Sequence, residues 1–219
     1  MPAEPNSPRL DNSALTVYAL AERVESMLVT AADQLQGCDL DGLKRLDEAG
    51  RQAQRLRLAI EIDCLGLIAA QKPHGSQLRS AVAMIEVASD LEQMAGQARR
   101  IARADYLVLD RGLASGLDGL HRLSVQVQTL LHQAMEADAQ RDEAAAQALL
   151  ARARQLELLG QAAHREMWIL IQHRPRHRGQ AIHLARSANQ LRLAARRVAS
   201  ICKWTMFAIR GEADGTYRI

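Results

Sequence analysis

Helix-breaking residues are rare in this sequence, and they divide it into six long segments rich in helix-forming residues. The breaks fall near residues 37–39, 71–75, 105–116, 139–142 and 174–176. Proline cannot continue a helix and disfavours helical geometry in the residue before it. Long helices with short connections pack as antiparallel bundles, so the pattern predicts an all-α fold. The predicted helices cover residues 13–36, 40–71, 76–104, 113–139, 142–172 and 178–210.

Composition excludes several other classes of protein. Aromatic residues make up 3 % of the chain and include one phenylalanine, whereas strands draw on aromatic and β-branched residues. The sequence has neither an apolar run long enough to span a bilayer nor a secretory signal pattern. Three widely separated cysteines, Cys38, Cys64 and Cys202, predict reduced, mostly buried thiols. These features together predict a cytoplasmic protein without a membrane-inserted segment.

The charge of +3 hides an uneven distribution along the chain. Residues 1–150 carry 15 basic and 21 acidic residues, and residues 151–219 carry 13 and 4. Two interpretations stay open, namely an anionic partner for the last third or basic helices packed beside acidic ones. The arginines of the sixth segment spread around its circumference rather than forming one stripe. Nucleic-acid binding is therefore not expected.

Apolar residues follow helical spacing in the third and sixth segments. Shifting residues 85–102 by 97 positions aligns them with 182–199, and ARRIA pairs with ARRVA. The repeat predicts two tandem three-helix units. The spacing also predicts a buried stripe on each helix. The stripe residues are Val87, Leu91, Met94, Ala98 and Ile101 in the third segment and Ala181, Leu184, Ala188, Leu191, Ala195, Val198 and Cys202 in the sixth.

The third segment contains the stretch ASDLEQMAGQARRIA at residues 88–102. This stretch resembles ASDLERIGDHAxNIA, a motif of the PhoU family of phosphate-signalling proteins. Two further stretches also resemble family motifs. They are Gln71-Lys72-Pro73 with the following QLR, and the closing Ala208–Glu212. The resemblance implies two PhoU-like repeats, at 13–108 and 109–211. A flexible N-terminal tail at 1–12 and a C-terminal tail at 212–219 would flank them.

For function, the resemblance implies a non-enzymatic cytosolic regulator that acts by protein contacts. Its partners would be a phosphate ABC transporter and a membrane sensor histidine kinase, met at the inner face of the membrane. Its effect would be to restrain phosphate-starvation signalling and uptake, and it would form a homodimer. No catalytic or cofactor-binding motif is visible in the sequence. The alternatives are a diverged adaptor for another transporter or a stress response, or a metal- or nucleic-acid-binding bundle.

The family's metal motif, an acidic residue followed four positions later by Asp, is degenerate here. Two carboxylates at that spacing share a helix face and can reach one cation. The first repeat keeps Glu92 but has Gly96 at the Asp position, and the second has Asn189 and Leu193. Bound iron or zinc is therefore not expected. Weak residual candidates for metal ligands are Glu86, Asp90 and Glu92, and a solvated acidic face is the favoured interpretation of Glu86 and Asp90.

The densest basic stretch lies at the proline loop before the sixth segment. Arg174, Arg176 and Arg178 surround Pro175, and arginine side chains suit phosphate and carboxylate groups. They are candidates for contact with a partner or an anion, and a solvated loop is the alternative. A metal site between His173 and His177 is disfavoured, because Pro175 disrupts the helical spacing that it needs.

Overall fold

The computed structural model describes residues 8–36, 39–105, 114–173, 175–213 and 217–218. These ranges contain six long α-helices, a 3₁₀ turn at Pro175–His177 and a short pair of antiparallel strands. The predicted all-α class is confirmed. The helices are α1 (Pro8–Gln36), α2 (Leu40–Gln71), α3 (Gly75–Asp105), α4 (Ala114–Gln140), α5 (Glu143–His173) and α6 (Arg178–Arg210), and the strands are β1 (Glu212–Ala213) and β2 (Tyr217–Arg218).

The predicted start of the first helix at residue 13 is wrong. Helix α1 begins at Pro8, because proline is tolerated in a helix's first turn, where its missing N–H has no intrahelical partner. Leu10 is buried, so residues 8–12 belong to the bundle and not to a flexible tail. In the expected C-terminal tail, β1 pairs with β2. The expected boundary between the repeats, at 108–109, lies outside the described residues.

Local capping interactions explain where several helices begin and end. Asp142 is the N-cap of α5, and its carboxylate accepts a hydrogen bond from the Ala145 N–H at 2.9 Å, as such caps do. Helix α6 ends at Gly211, whose φ of 84° requires the left-handed region that glycine adopts readily. Lys72 ends α2 in the same left-handed conformation, with φ of 47°.

The six helices form two three-helix bundles packed side by side. Helices α1–α3 form the first and α4–α6 the second, and the bundles meet along α1 against α4 and α3 against α6. The outer helices α2 and α5 pack mainly on helices of their own bundle. Every residue of the two predicted stripes is buried, and the stripes contribute to a core that runs through both bundles. Both stripe predictions are confirmed.

Helices α5 and α6 are in close contact at Gly160. A Cβ atom placed on Gly160 would lie 2.9 Å from the Arg192 Cα atom, closer than packed carbon atoms come to one another. At Gly66 on α2, by contrast, an added Cβ would meet nothing within 4 Å. The absence of a side chain at Gly160 therefore permits this packing, whereas Gly66 has no such role.

Two of the three cysteines are described. Cys64 and Cys202 are buried and are not bonded in a disulfide, as predicted, and Cys38 lies outside the described residues. Burial raises the pKa of the Cys64 thiol, and it raises that of Cys202 to about 12. Both thiols therefore remain protonated at neutral pH. Among the described helices, none is long and apolar enough to cross a membrane.

Candidate functional site

The metal-motif position of the first repeat is covered by an arginine. A Cβ atom at Gly96 would lie 3.5 Å from both terminal nitrogens of Arg100. The Arg100 Nε atom donates a hydrogen bond to Gln190 Oε1 of α6 at 2.9 Å. A guanidinium group therefore occupies the region into which an aspartate at position 96 would project. Glu92, the remaining motif residue, is partly exposed one turn earlier on α3.

The second motif position holds arginines as well. Asn189 Oδ1 accepts a hydrogen bond from Arg192 Nε at 3.1 Å. Arg192 Nη1 and Arg196 Nε lie 3.2 and 3.4 Å from the same oxygen of Glu157 on α5. Leu193 cannot coordinate a metal. The local carboxylate is thus neutralised by two guanidinium groups, which would repel a cation.

A similar arrangement joins α2 to α3 in the first bundle. Asp47 Oδ1 accepts from Arg99 Nε at 3.1 Å, and both oxygens of Asp47 accept from Arg103 Nη2 at 2.9 Å. Burial favours the protonated acid, but the hydrogen bonds from Arg103 and Arg99 hold the pKa of Asp47 below its usual value. In each bundle, therefore, one carboxylate on the outer helix is held by two arginines of the last helix.

The predicted solvated acidic face on α3 is wrong for Asp90. The residue is 4 % exposed, and its Oδ1 atom lies 3.1 Å from Arg197 Nη1 of α6. Helical periodicity places Asp90 next to the α3 stripe, on the face that meets α6. Burial raises the pKa of Asp90, although Ser200 and Arg197 oppose that shift. Glu86 is exposed, so the candidates do not converge on one point.

The residues at the motif positions do not fit an iron or zinc ion. Such sites need several carboxylate, imidazole or thiolate ligands around one point. Within the described ranges, no group of three or more His, Cys, Asp or Glu side chains is arranged to hold a metal. That the protein binds no iron, zinc or manganese stays a prediction, and metal analysis of the purified chain would check it.

The basic stretch lies at the end of the molecule where α5 turns into α6. Arg176 is exposed in the 3₁₀ turn. Arg178 Nε donates to the Ile171 carbonyl oxygen at 3.4 Å, a favourable position for a cation at a helix C-terminus. Arg174 lies outside the described residues. The turn therefore presents Arg176 to solvent, while Arg178 also caps α5.

A cavity of about 360 Å³, which no sequence pattern indicated, lies where α1, α3, α4 and α6 meet. Asp138 lies in its wall, and its two oxygens accept hydrogen bonds from Thr205 Oγ1 at 2.8 Å and Tyr18 Oη at 3.3 Å. Arg141, also in the wall, donates through Nη2 to Ser80 Oγ at 2.9 Å. Burial raises the pKa of Asp138 despite the two hydroxyl donors and Arg141. Burial, together with the Asp138 charge, raises the pKa of Tyr18 strongly.

Comparison with known proteins gives consistent matches over most of the chain. The relative from Edwardsiella tarda named phosphate-specific transport system accessory protein PhoU is 27 % identical over 58 % of this chain. The homolog from Pseudomonas aeruginosa is 21 % identical over 89 % of this chain and 81 % of its own length. The Edwardsiella match spans 52 % of that relative, so the chain spans about half the length of the first curated relatives it matches.

Solved structures share the fold. The crystal structure of PhoU from Pseudomonas aeruginosa superimposes with a TM-score of 0.87 at 20 % identity, covering 93 % of this chain and 98 % of that one. The phosphate transport system regulatory protein PhoU from Streptococcus pneumoniae gives 0.82 at 21 % identity. The family model of the PhoU domain matches twice, at residues 17–104 and 120–205. The chain therefore belongs to the PhoU family.

Proposed function

We propose that this chain is an accessory regulator of phosphate transport that acts by protein contact and carries out no reaction. It would bind a phosphate ABC transporter and a sensor histidine kinase at the cytoplasmic face of the membrane and restrain phosphate-starvation signalling. The observation that carries the proposal is the match of the PhoU domain model to both halves of the chain. Relatives named as accessory proteins of the phosphate-specific transport system support it. A contact regulator works by favouring one state of its partner.

Exposed apolar stripes on the two outer helices supply surfaces for such contacts. The α2 stripe consists of Leu58, Ile62 and Leu65, whose exposed fractions are 43 %, 67 % and 52 %. Their spacing of four and three places them on one helix face. The α5 stripe consists of the exposed residues Leu158, Leu159, Trp168 and Ile169. Exposed apolar residues that cluster in this way mark interaction sites, and we assign the two stripes to a partner or to a second copy of this chain.

Affinity capture from the native cell at high and low phosphate tests the proposal. The intact chain is expected to recover transporter ATPase or histidine kinase. Ile62→Glu with Leu65→Glu should reduce recovery, because carboxylates on the α2 stripe resist burial. Val29→Glu with Val125→Glu is the matched control, since both positions are exposed on other helices. Capture of neither partner by the intact chain, from cells that express both, would refute the proposal.

The basic turn is the second proposed contact. Replacing Arg174, Arg176 and Arg178 with serine should weaken binding to the partner. The binding that remains should depend less on salt concentration than binding of the parent chain does. The matched control removes three exposed arginines elsewhere, Arg122, Arg152 and Arg154. Unchanged binding in the first triple variant would exclude the turn from the interface.

One observation favours a second candidate function, a diverged PhoU-like adaptor for another transporter or a stress response. The motif positions carry Gly96, Asn189 and Leu193 beside arginines, which departs from the family pattern. The same capture experiment distinguishes the two, because the adaptor would recover a different transporter at both phosphate levels. Size-exclusion chromatography with light scattering tests the homodimer, and the two α2-stripe substitutions should shift a dimer that uses this stripe towards monomer.

A further inference from the structure

The cavity between α1, α3, α4 and α6 has the size and lining of a small-molecule site. Its volume of about 360 Å³ lies within the range of ligand pockets. Most of its wall is apolar, and three of its polar residues, Tyr18, Thr205 and Arg141, interact with Asp138. The apolar lining residues are Ala14, Leu15, Val17, Ala83, Met84, Val87, Ala139, Ala208 and Ile209. A molecule that fits there would have a short apolar body and one polar end.

The carboxylate in this wall is absent from the matching position of the first bundle. Helices α1 and α4 bury apolar residues at corresponding positions, and the same register pairs Leu35 with Asp138. Leu35 is buried, so this position of the fold accepts an apolar residue. Asp138 is therefore not required for packing. The corresponding positions are Val24, Met27, Leu28 and Ala31 in α1 and Val127, Leu130, Leu131 and Ala134 in α4.

The hydrogen bonds around Asp138 determine what its ligand must offer. Thr205 and Tyr18 both direct their hydroxyl hydrogens at the carboxylate, and a hydroxyl has one hydrogen to give. Each carboxylate oxygen keeps a further acceptor position. This end of the cavity therefore presents acceptors, and a ligand must bring donors to it. Thr205 is buried, and Asp138 Oδ1, at 2.8 Å from its hydroxyl oxygen, is a nearer acceptor than the Ile201 carbonyl oxygen at 3.2 Å.

The charges in the wall favour a cation. Asp11 and Asp138 contribute two carboxylates, and Arg141 contributes one guanidinium that is held by Ser80. Arg141 follows the end of α4 in the left-handed conformation, with φ of 53°, and its backbone N–H bonds the Asp138 carbonyl. A protonated amine combines three donors with a positive charge. Ammonium groups bind carboxylates through strong charge-assisted hydrogen bonds.

We propose that this cavity binds a small amine, whose ammonium group contacts Asp138 and whose short apolar body lies against the alanine, valine and methionine side chains. Tyr18 and Thr205 orient the carboxylate and do not themselves need to contact the apolar body. This proposal does not depend on the phosphate-transport role, because it rests on the cavity alone.

Calorimetric titration of the full chain with three molecules of matched shape tests the proposal. Isoamylammonium chloride carries the cation, isoamyl alcohol is neutral and isovalerate carries the anion. The ammonium is expected to bind at least ~10-fold more tightly than either of the others, because only it satisfies the carboxylate. Equal binding of the alcohol, preference for isovalerate, or no saturable binding of the ammonium would overturn the proposal.

Two variants locate the binding at Asp138. Asp138→Asn should weaken ammonium binding by at least ~10-fold and leave binding of the alcohol unchanged. Glu136→Gln is the matched control, because Glu136 is an exposed acid on the same helix outside the cavity wall. If Asp138→Asn fails to fold, Ala14→Leu fills part of the cavity while keeping the charge, and it should also reduce binding. Ammonium binding that survives in the folded variant, Asp138→Asn or Ala14→Leu, would overturn the proposal.

Discussion

At the scale of single residues, the surroundings of Asp138 are the feature that the sequence predicted least. Its hydroxyl partners Tyr18 and Thr205 lie 120 and 67 residues away along the chain. The spacing of residues along the chain does not show that such distant residues are neighbours, because the packing of α1, α4 and α6 brings them together. The alignment of α1 with α4 could have singled out Asp138 in the sequence, because it pairs this carboxylate with the apolar residue Leu35. A buried carboxylate is costly unless it is paired or hydrogen-bonded.

The stability of the protein should depend on pH through Asp138. Its pKa is raised in the folded state, so the folded protein binds the proton more tightly than the unfolded chain does. The stabilising contribution is complete below the unfolded value of about 3.9 and is lost as pH rises through the folded pKa. Asp138→Asn should therefore gain unfolding free energy relative to the parent as pH rises from about 4 towards 7.

Urea unfolding of both proteins across this pH range measures the difference. Tyr18, Arg141 and the Cys202 thiol interact with Asp138, and Asp11 lies in the same cavity wall. All four remain in both proteins, so the comparison isolates one carboxylate. Glu136→Gln should not reproduce the slope. A difference between parent and Asp138→Asn that stays constant or falls with pH contradicts the expectation.

At the scale of helices, the sequence predicted most of the architecture. The predicted end of α1 and both predicted ends of α2 and α6 match the structure, because prolines, glycines and cap residues act locally. The start of α1 was missed, because a proline at a first turn and a proline in a loop look alike in sequence. The sequence also did not show which glycines within helices are needed for close packing, since that depends on the neighbouring helix.

Gly160 and Gly66 should respond in opposite ways to alanine. In Gly160→Ala the new Cβ would meet the Arg192 backbone at 2.9 Å, which cannot rotate away, and overpacking costs about 1–3 kcal/mol of unfolding free energy. In Gly66→Ala the methyl group meets open space. Alanine is favoured over glycine within a helix by about 0.5–1 kcal/mol, so this variant should be more stable. Chemical denaturation measures the change in unfolding free energy of each variant relative to the parent. Equal changes in the two variants would contradict the assigned packing.

At the scale of the whole molecule, the two bundles are joined by a core that runs through both and by polar contacts between α3 and α6. Asp90 on α3 and Arg197 on α6 pair across that junction, and Arg100 and Gln190 pair nearby. The repeat in the sequence predicted that the third and sixth helices are alike, but not that they pack against each other. The degenerate metal motif was likewise predictable only in part. Gly96 and Leu193 were visible in the sequence, whereas the contact that Arg100 makes over Gly96 was not.

Arg197→Ala should destabilise the chain far more than Arg196→Ala. Removing Arg197 leaves the buried Asp90 carboxylate without its cation, and breaking a buried pair on one side costs about 3–5 kcal/mol. Arg196 is 61 % exposed and pairs with Glu157 at the surface, where such pairs contribute at most about 1 kcal/mol. Thermal unfolding of both variants measures the contrast, and similar losses would show that the Asp90 pair does not hold the bundles together.

The arginines at the two degenerate motif positions have a consequence for how the molecule meets its surroundings. A coordinated ion leaves its ligands when its supply falls, whereas a guanidinium is a covalent part of the chain. The positive charge that Arg100, Arg192 and Arg196 contribute is therefore fixed at synthesis. A chelator, or a cell short of transition elements, should leave that charge unaltered.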